Sequence, residues 1–195
     1  MNQTTEFLII GGGIAAASTA YWLSRNAQVL LLEQESQPGY HSTGRSAALF
    51  MESYGTPQVR ALTMASRAFL QAPPVDFSDH PLLTPRGAMM VAEHGQDEML
   101  SAHWDVLRQV TQKGRLLNTQ EACEYVPVLR SEKILGGIYE PDASDMDVHS
   151  IHQGYLRGAK KNGAQLICDA QVTQIKRSGQ VWQVQAGGHQ YEARV

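Results

Sequence analysis

The sequence predicts an α/β protein: a parallel sheet and an antiparallel meander in one domain, and part of a second, α+β domain. Three observations predict it. The continuous apolar runs Phe7-Leu8-Ile9-Ile10 and Val29-Leu30-Leu31-Leu32 suit parallel strands covered on both faces, which do not alternate. Residues 14–26 between them read as a helix, because Ala15, Ala16, Ala17, Ala20, Trp22 and Leu23 combine helix propensity with an apolar face. From Gln171 on, alternating segments separated by Ser178-Gly179 and Gly187-Gly188 have the turns of a three-stranded meander.

The first strand meets the first helix at Gly11-Gly12-Gly13. With Ala16 this matches the G-x-G-x-x-G/A spacing of a Rossmann-like β-α-β unit. Gly11 allows a tight turn off the strand. Gly13, without a side chain, lets a pyrophosphate approach the backbone. Ala16 lets the helix pack close to the strand. The helix N-terminus offers N–H groups and a positive dipole end to the phosphates. Glu33 ends the second strand about 20 residues beyond the turn. A carboxylate there accepts from both ribose hydroxyls of an adenosine and repels a 2′-phosphate, which argues against NADP.

Composition narrows the setting. The 195 residues are 43% hydrophobic and 18% charged, enough apolar material for a core and too much for disorder. A net charge of -3 gives no basic surface for nucleic acid or anionic membrane. The run at 7–10 follows Glu6 and is too short for a signal or a membrane anchor. Cys123 and Cys168 have neither disulfide nor metal spacing, so the reducing cytoplasm is the expected compartment. His149 and His152 share a helix face, but no third ligand has suitable spacing, and no metal is expected.

The segment after Glu33 departs from an NAD-binding repeat. Residues 34–40 are polar, contain Pro38-Gly39 and read as a loop. His41-Ser42-Thr43-Gly44-Arg45-Ser46-Ala47-Ala48 then brings hydroxyls, a guanidinium and small residues together. Such a stretch suits a polar cofactor body: hydroxyls bond phosphate and ribityl oxygens, Arg45 neutralises phosphate, and the alanines admit a flat ring.

On these stretches the sequence resembles the FAD-dependent amino-acid oxidases and dehydrogenases of the D-amino-acid oxidase/glycine oxidase superfamily, most of all its bacterial D-arginine dehydrogenase branch. The likeness is carried by Gly11-Gly-Gly-Ile-Ala-Ala-Ala-Ser-Thr19, Gln37-Pro-Gly-Tyr-His-Ser-Thr-Gly-Arg-Ser-Ala-Ala48, Tyr54-Gly-Thr-Pro-Gln-Val-Arg-Ala-Leu62, His80-Pro-Leu-Leu83 and His152-Gln-Gly-Tyr-Leu-Arg-Gly158. It implies FAD as cofactor and hydride transfer from the substrate Cα to the flavin, leaving an imino acid. It implies FAD contacts at Gly11, Gly13 and Ala15 for the pyrophosphate and at Glu33 and Gln34 for the adenosine ribose. Ser42, Thr43, Gly44, Arg45, Ser46, Ala47 and Ala48 would run along the phosphates, ribityl chain and flavin, and Val172 would touch adenine through its backbone. Tyr54 matches a family tyrosine that bonds the substrate carboxylate; from its residues alone a partly buried core tyrosine beside Gly55 is an equal reading.

Two positions depart from the D-arginine branch. Leu49 stands where it has an active-site histidine, and Ala88 where a glutamate grips the cationic side chain. A buried cation without a partner is costly. With Leu49, Met51 and Ala88 nearby, a neutral or apolar amino acid is the expected substrate, with cyclic or N-methyl amines as alternatives.

The remaining elements follow from local signals. Thr56-Pro57 starts a helix whose apolar face is Val59, Leu62, Ala65, Phe69 and Leu70, and Pro73-Pro74 stops it. Residues 86–92 read as a strand and 96–112 as a surface helix. Asn118 and Glu121 form a capping box, 134–139 a strand, and 147–162 an amphipathic helix closed by Gly163. Residues 165–168 read as a buried strand with an inert Cys168, and 191–195 as a strand cut in mid-course. The expected domains are 1–55 with 145–195 for the cofactor and 56–144 for the substrate, the whole being an N-terminal fragment. The competing reading is a cofactor-binding fragment without catalysis.

Overall fold

A computed structural model describes residues 3–195. In chain order the elements begin β1 (Gln3–Thr5), β2 (Phe7–Ile10), α1 (Ile14–Leu23), β3 (Val29–Leu32), β4 (Leu49–Phe50), α2 (Pro57–Gln71), β5 (Leu83–Pro85), β6 (Ala88–Glu93) and α3 (Asp97–Val110). They continue β7 (Arg115–Asn118), α4 (Thr119–Tyr125), β8 (Ile134–Glu140), β9 (Ser144–Met146), α5 (Val148–Lys161), β10 (Gln165–Ile167), β11 (Val172–Ser178), β12 (Val181–Ala186) and β13 (His189–Ala193). Two compact units result. The first is Met1–Ser46, Pro73–Leu82 and Asp147–Val195; the second is Ala47–Ala72 and Leu83–Met146. The first division thus falls nearer the glycine turn than residue 55, and 73–82 joins the first unit.

In the first unit β3 is the middle strand of a parallel sheet ordered β10-β3-β2. All four of its residues are buried. Leu30 and Leu32 pack against Val184, Ala186 and Tyr191 of the meander. Val29 and Leu31 face Ala20 of α1 and Ala159 of α5 on the other side. The three layers are therefore meander, parallel sheet and helices. Each buried leucine contributes about 1.5–3 kcal/mol. β2, expected to be covered on both faces, is an edge strand, and its Ile10 is 50% exposed. β10 is the other edge; its first two residues are exposed, and Cys168 follows it half-exposed rather than sealed within it. The helix expected over 14–26 ends at Leu23, and the 86–92 strand begins at Ala88. The meander extends to a strand without an apolar signal: β1 pairs parallel with β13. The last strand runs His189–Ala193; beyond it the Val195 N–H donates to Glu6 O.

Pro73–Leu82 joins this unit through Phe77, which is buried. Its ring sits edge-on to Tyr155 at 4.9 Å and to Tyr21 at 5.7 Å. Asp147 caps α5, with Oδ1 accepting from Ser150 N at 2.9 Å and Oδ2 facing His80 Nε2 at 3.3 Å. The Ser150 backbone bond, with His80 beside it, holds the Asp147 carboxyl below its ordinary value. Asp79 and Asp147 raise His80 above its own. The signs are opposite. Asp147 stabilises fully above about pH 4 and loses that contribution as pH falls through its lowered value. His80 stabilises below about pH 6.5 and loses it as pH rises through its raised value. Asp147→Ala is expected to lower the unfolding free energy by about 1 kcal/mol at pH 7, and the difference from wild type to vanish in acid. Urea titrations at several pH values check this.

In the second unit, β4-β9-β5 and β6-β8-β7 form two antiparallel sheets. Leu117, Ala122 and Ile134 form a core under α4, and Met89 packs against it. The Asn118/Glu121 capping box is formed: Asn118 Oδ1 accepts from Glu121 N at 3.0 Å and Glu121 Oε2 from Asn118 N at 2.9 Å. Asn118→Ala should cost about 1 kcal/mol, read as a shift of the denaturation midpoint. The α2 helix, capped by Thr56 at Val59 N, keeps its predicted apolar face, but only Leu70 on it is buried. Leu62 is 71% exposed.

Candidate functional site

The turn after β2 opens a cleft of about 340 Å³ in the first unit. Of the residues the sequence assigns to the cofactor, Gly11, Gly13, Glu33, Gln34, Ser42, Thr43 and Val172 line it. Gly12, Gly39, Tyr40, His41 and Ala170 join them; of these only His41 falls in the stretch that the sequence reading gave to the cofactor body. Gly11 has φ +99°, a conformation side chains disfavour. A Cβ at Gly12 would stand 2.7 Å from the Pro38 Cβ, so the middle position also requires glycine.

Glu33 is buried, and both its carboxylate oxygens hold backbone. Oε2 accepts from Gly12 N at 2.6 Å and Oε1 from Glu35 N at 2.9 Å. It therefore ties the glycine turn to the loop that follows β3. Charge-assisted bonds of this kind are about twice as strong as neutral ones. The carboxylate faces the cleft, where a ribose hydroxyl can donate to its remaining lone pairs.

Segment 39–45 folds back on itself: Gly44 N donates to Gly39 O at 2.7 Å and Arg45 N to His41 O at 3.1 Å. His41, Ser42 and Thr43 of this turn line the cleft, and Gly44 and Arg45 are not among the lining residues. The Thr43 hydroxyl accepts from Ile14 N at 3.0 Å, and a Cβ on Gly13 would lie 3.2 Å from it. One orphan N–H of the first α1 turn is thus satisfied. The Arg45 guanidinium lies 5.2 Å from the Tyr40 ring centroid. Ala15, on the first turn of α1, and Ser46 are exposed and do not line the cleft; Ala47 and Ala48 belong to the second unit. Among the described residues no group of His, Cys, Asp and Glu is placed to hold a metal ion, and no helix is long and apolar enough to cross a membrane.

The second unit holds another cavity of about 340 Å³. It brings together Leu49, Met51 and Tyr54 with Val59 and Leu62 of the uncovered α2 face, and no charged side chain lines it. Tyr54 is 71% exposed. Ala88 lies elsewhere, paired with Glu140 in the β6–β8 ladder. Beneath Tyr54 the loop is held by buried Glu140, which accepts from Glu52 N at 3.1 Å and from the Ser53 hydroxyl. Arg67 fixes Glu52 from α2 at 2.7 Å.

The fold and the cleft define a dinucleotide-binding α/β protein with a glycine turn, a strand-end carboxylate and a hydroxyl loop. Across residues 6–195 the chain matches the DAO model, described as FAD dependent oxidoreductase, and it belongs to that family. The family's cofactor fits the cleft: Gly13 has no side chain at the helix start, and the Glu33 carboxylate lines the same cleft beside the glycine turn. L-2-hydroxyglutarate dehydrogenase of Escherichia coli K12 is 28% identical over 96% of this chain and 45% of its own length. Human mitochondrial dimethylglycine dehydrogenase is 26% identical over 94% of this chain and 22% of its own. Glycine oxidase from Geobacillus kaustophilus superposes with a TM-score of 0.83 at 19% identity, over 100% of this chain and 54% of that one. L-proline dehydrogenase from P. horikoshii gives 0.81 at 17%, over 100% and 52%. The chain spans less than half the length of these curated relatives and about half that of these structures.

Proposed function

We propose that this chain binds FAD in the first-unit cleft and serves an enzyme that oxidises the Cα–N bond of a neutral amino acid, in the first instance a D-amino acid, to the imino acid. FAD, when bound, supplies the hydride acceptor. Gly11 and Gly13 hold the pyrophosphate, Glu33 and Gln34 the adenosine ribose, and the Val172 backbone the adenine. Ser42 and Thr43, which line the cleft, follow the phosphates. Tyr54 donates its hydroxyl to the substrate carboxylate. The observation that carries the neutral substrate is the second-unit cavity, whose lining has Leu49, Met51 and Tyr54 and no charged group. A guanidinium there would be unpaired. Glycine, dimethylglycine and proline, named for the relatives, also carry no cationic side chain.

The test is anaerobic bleaching of the FAD-loaded chain by a panel of D- and L-amino acids, D-arginine and L-2-hydroxyglutarate. Neutral amino acids bleaching ahead of D-arginine is the expected result; D-arginine or the hydroxy acid first would refute the substrate class. A second reading, a cofactor-binding domain without turnover of its own, is supported by the cleft, whose lining lies wholly within the first unit. Its result is FAD uptake with no bleaching by any substrate.

A further inference from the structure

We infer that His152 is a positioning residue of the pyrophosphate turn, an inference that rests on the FAD reading above. His152 lies on α5, is 3% exposed, and has its Nε2 2.7 Å from the carbonyl oxygen of Gly12. A carbonyl only accepts, so Nε2 carries the hydrogen. Gly12 is thereby held from both sides: its N–H by Glu33 and its C=O by His152.

The consequence follows from peptide geometry. The described chain has no cis peptide bond, so the Gly13 N–H points opposite to the Gly12 carbonyl. Drawing that carbonyl onto α5 turns the Gly13 N–H to the other side, and Gly13 lines the cleft. His152 thus fixes a donor toward an anion at the start of α1 and keeps a carbonyl dipole from facing it. The same ring underlies the second wall. Gly39 has φ +79°, and a Cβ on it would stand 2.8 Å from the His152 Cε1. The imidazole is wedged between the glycine turn and the segment that carries Thr43. Packing alone does not call for this side chain: Ile151 and Ala159 already supply buried apolar contact on α5.

The experiment titrates FAD into the purified chain, followed by flavin fluorescence, for wild type, His152→Gln, His152→Leu and His152→Phe. Glutamine returns an amide donor within reach of Gly12. Leucine and phenylalanine fill the space without one, and phenylalanine stands in should leucine fail to fold by circular dichroism. The Kd is expected to weaken about tenfold or more in the apolar variants and to stay within about threefold in His152→Gln. The Gly13 amide resonance, read without FAD, is expected to move in the apolar variants and to hold in His152→Gln. Equal Kd values in all four proteins overturn the positioning role and leave the FAD reading standing. An equal loss in all three variants overturns the donor role. No FAD uptake by folded wild type overturns both readings.

Discussion

Glu33→Ala is expected to cost about 2–4 kcal/mol of folding stability and to weaken FAD binding about tenfold or more. The carboxylate accepts from Gly12 and Glu35 at once, so alanine leaves two backbone donors without partners. The glycine turn and the loop after β3 then lose the group that joins them, and a ribose loses its acceptor. Glu33→Gln separates the two effects. Its amide oxygen can serve one of the N–H groups, while its NH₂ faces the other, so the loss is intermediate. Urea denaturation reads the stability and flavin fluorescence the binding. An alanine variant that binds FAD as tightly as wild type would remove Glu33 from the cofactor site.

Gly158→Val is expected to destabilise by about 3 kcal/mol or more. A Cβ at Gly158 would land on the Tyr21 ring of α1, which is held by Phe77 and Tyr155 and cannot swing aside. Gly154→Ala meets the Phe77 ring in the same way, its Cβ 2.6 Å from the Phe77 Cε1. Gly163→Ala provides the contrast. Gly163 closes α5 with φ +95° and open space around it, so only backbone strain of about 1 kcal/mol is expected. Equal midpoints for Gly158→Val and Gly163→Ala in guanidinium would contradict close packing of α1 on α5.

The cofactor unit was legible because its signals are local. The apolar runs, the glycine spacing and the turn pairs at 178–179 and 187–188 act within a few residues, and β2, β3, α1 and the meander follow them. Strand order is not local. The runs at 7–10 and 29–32 look alike in sequence, yet only β3 is covered on both faces, because β2 lies at the sheet edge. β1 has no apolar pattern and depends on its pairing with β13. In the site, Gly11, Gly13 and Glu33 came from spacing. Arg45 is held by a backbone bond to His41 and packs on the Tyr40 ring, contacts that its charge in the sequence does not announce. In sequence His152 only shares a helix face with His149, and no metal is expected there; its partner is a carbonyl in a turn 140 residues earlier. Its position beside Ile151 on the apolar face of α5 was the available signal that it is buried for a reason.

The measurement that tests the central claim most directly is the visible spectrum of the purified chain after addition of FAD and removal of the excess. A protein-bound flavin band at near-stoichiometric amount, reduced in Glu33→Ala, is the predicted result. A folded, colourless protein that retains no flavin would contradict it.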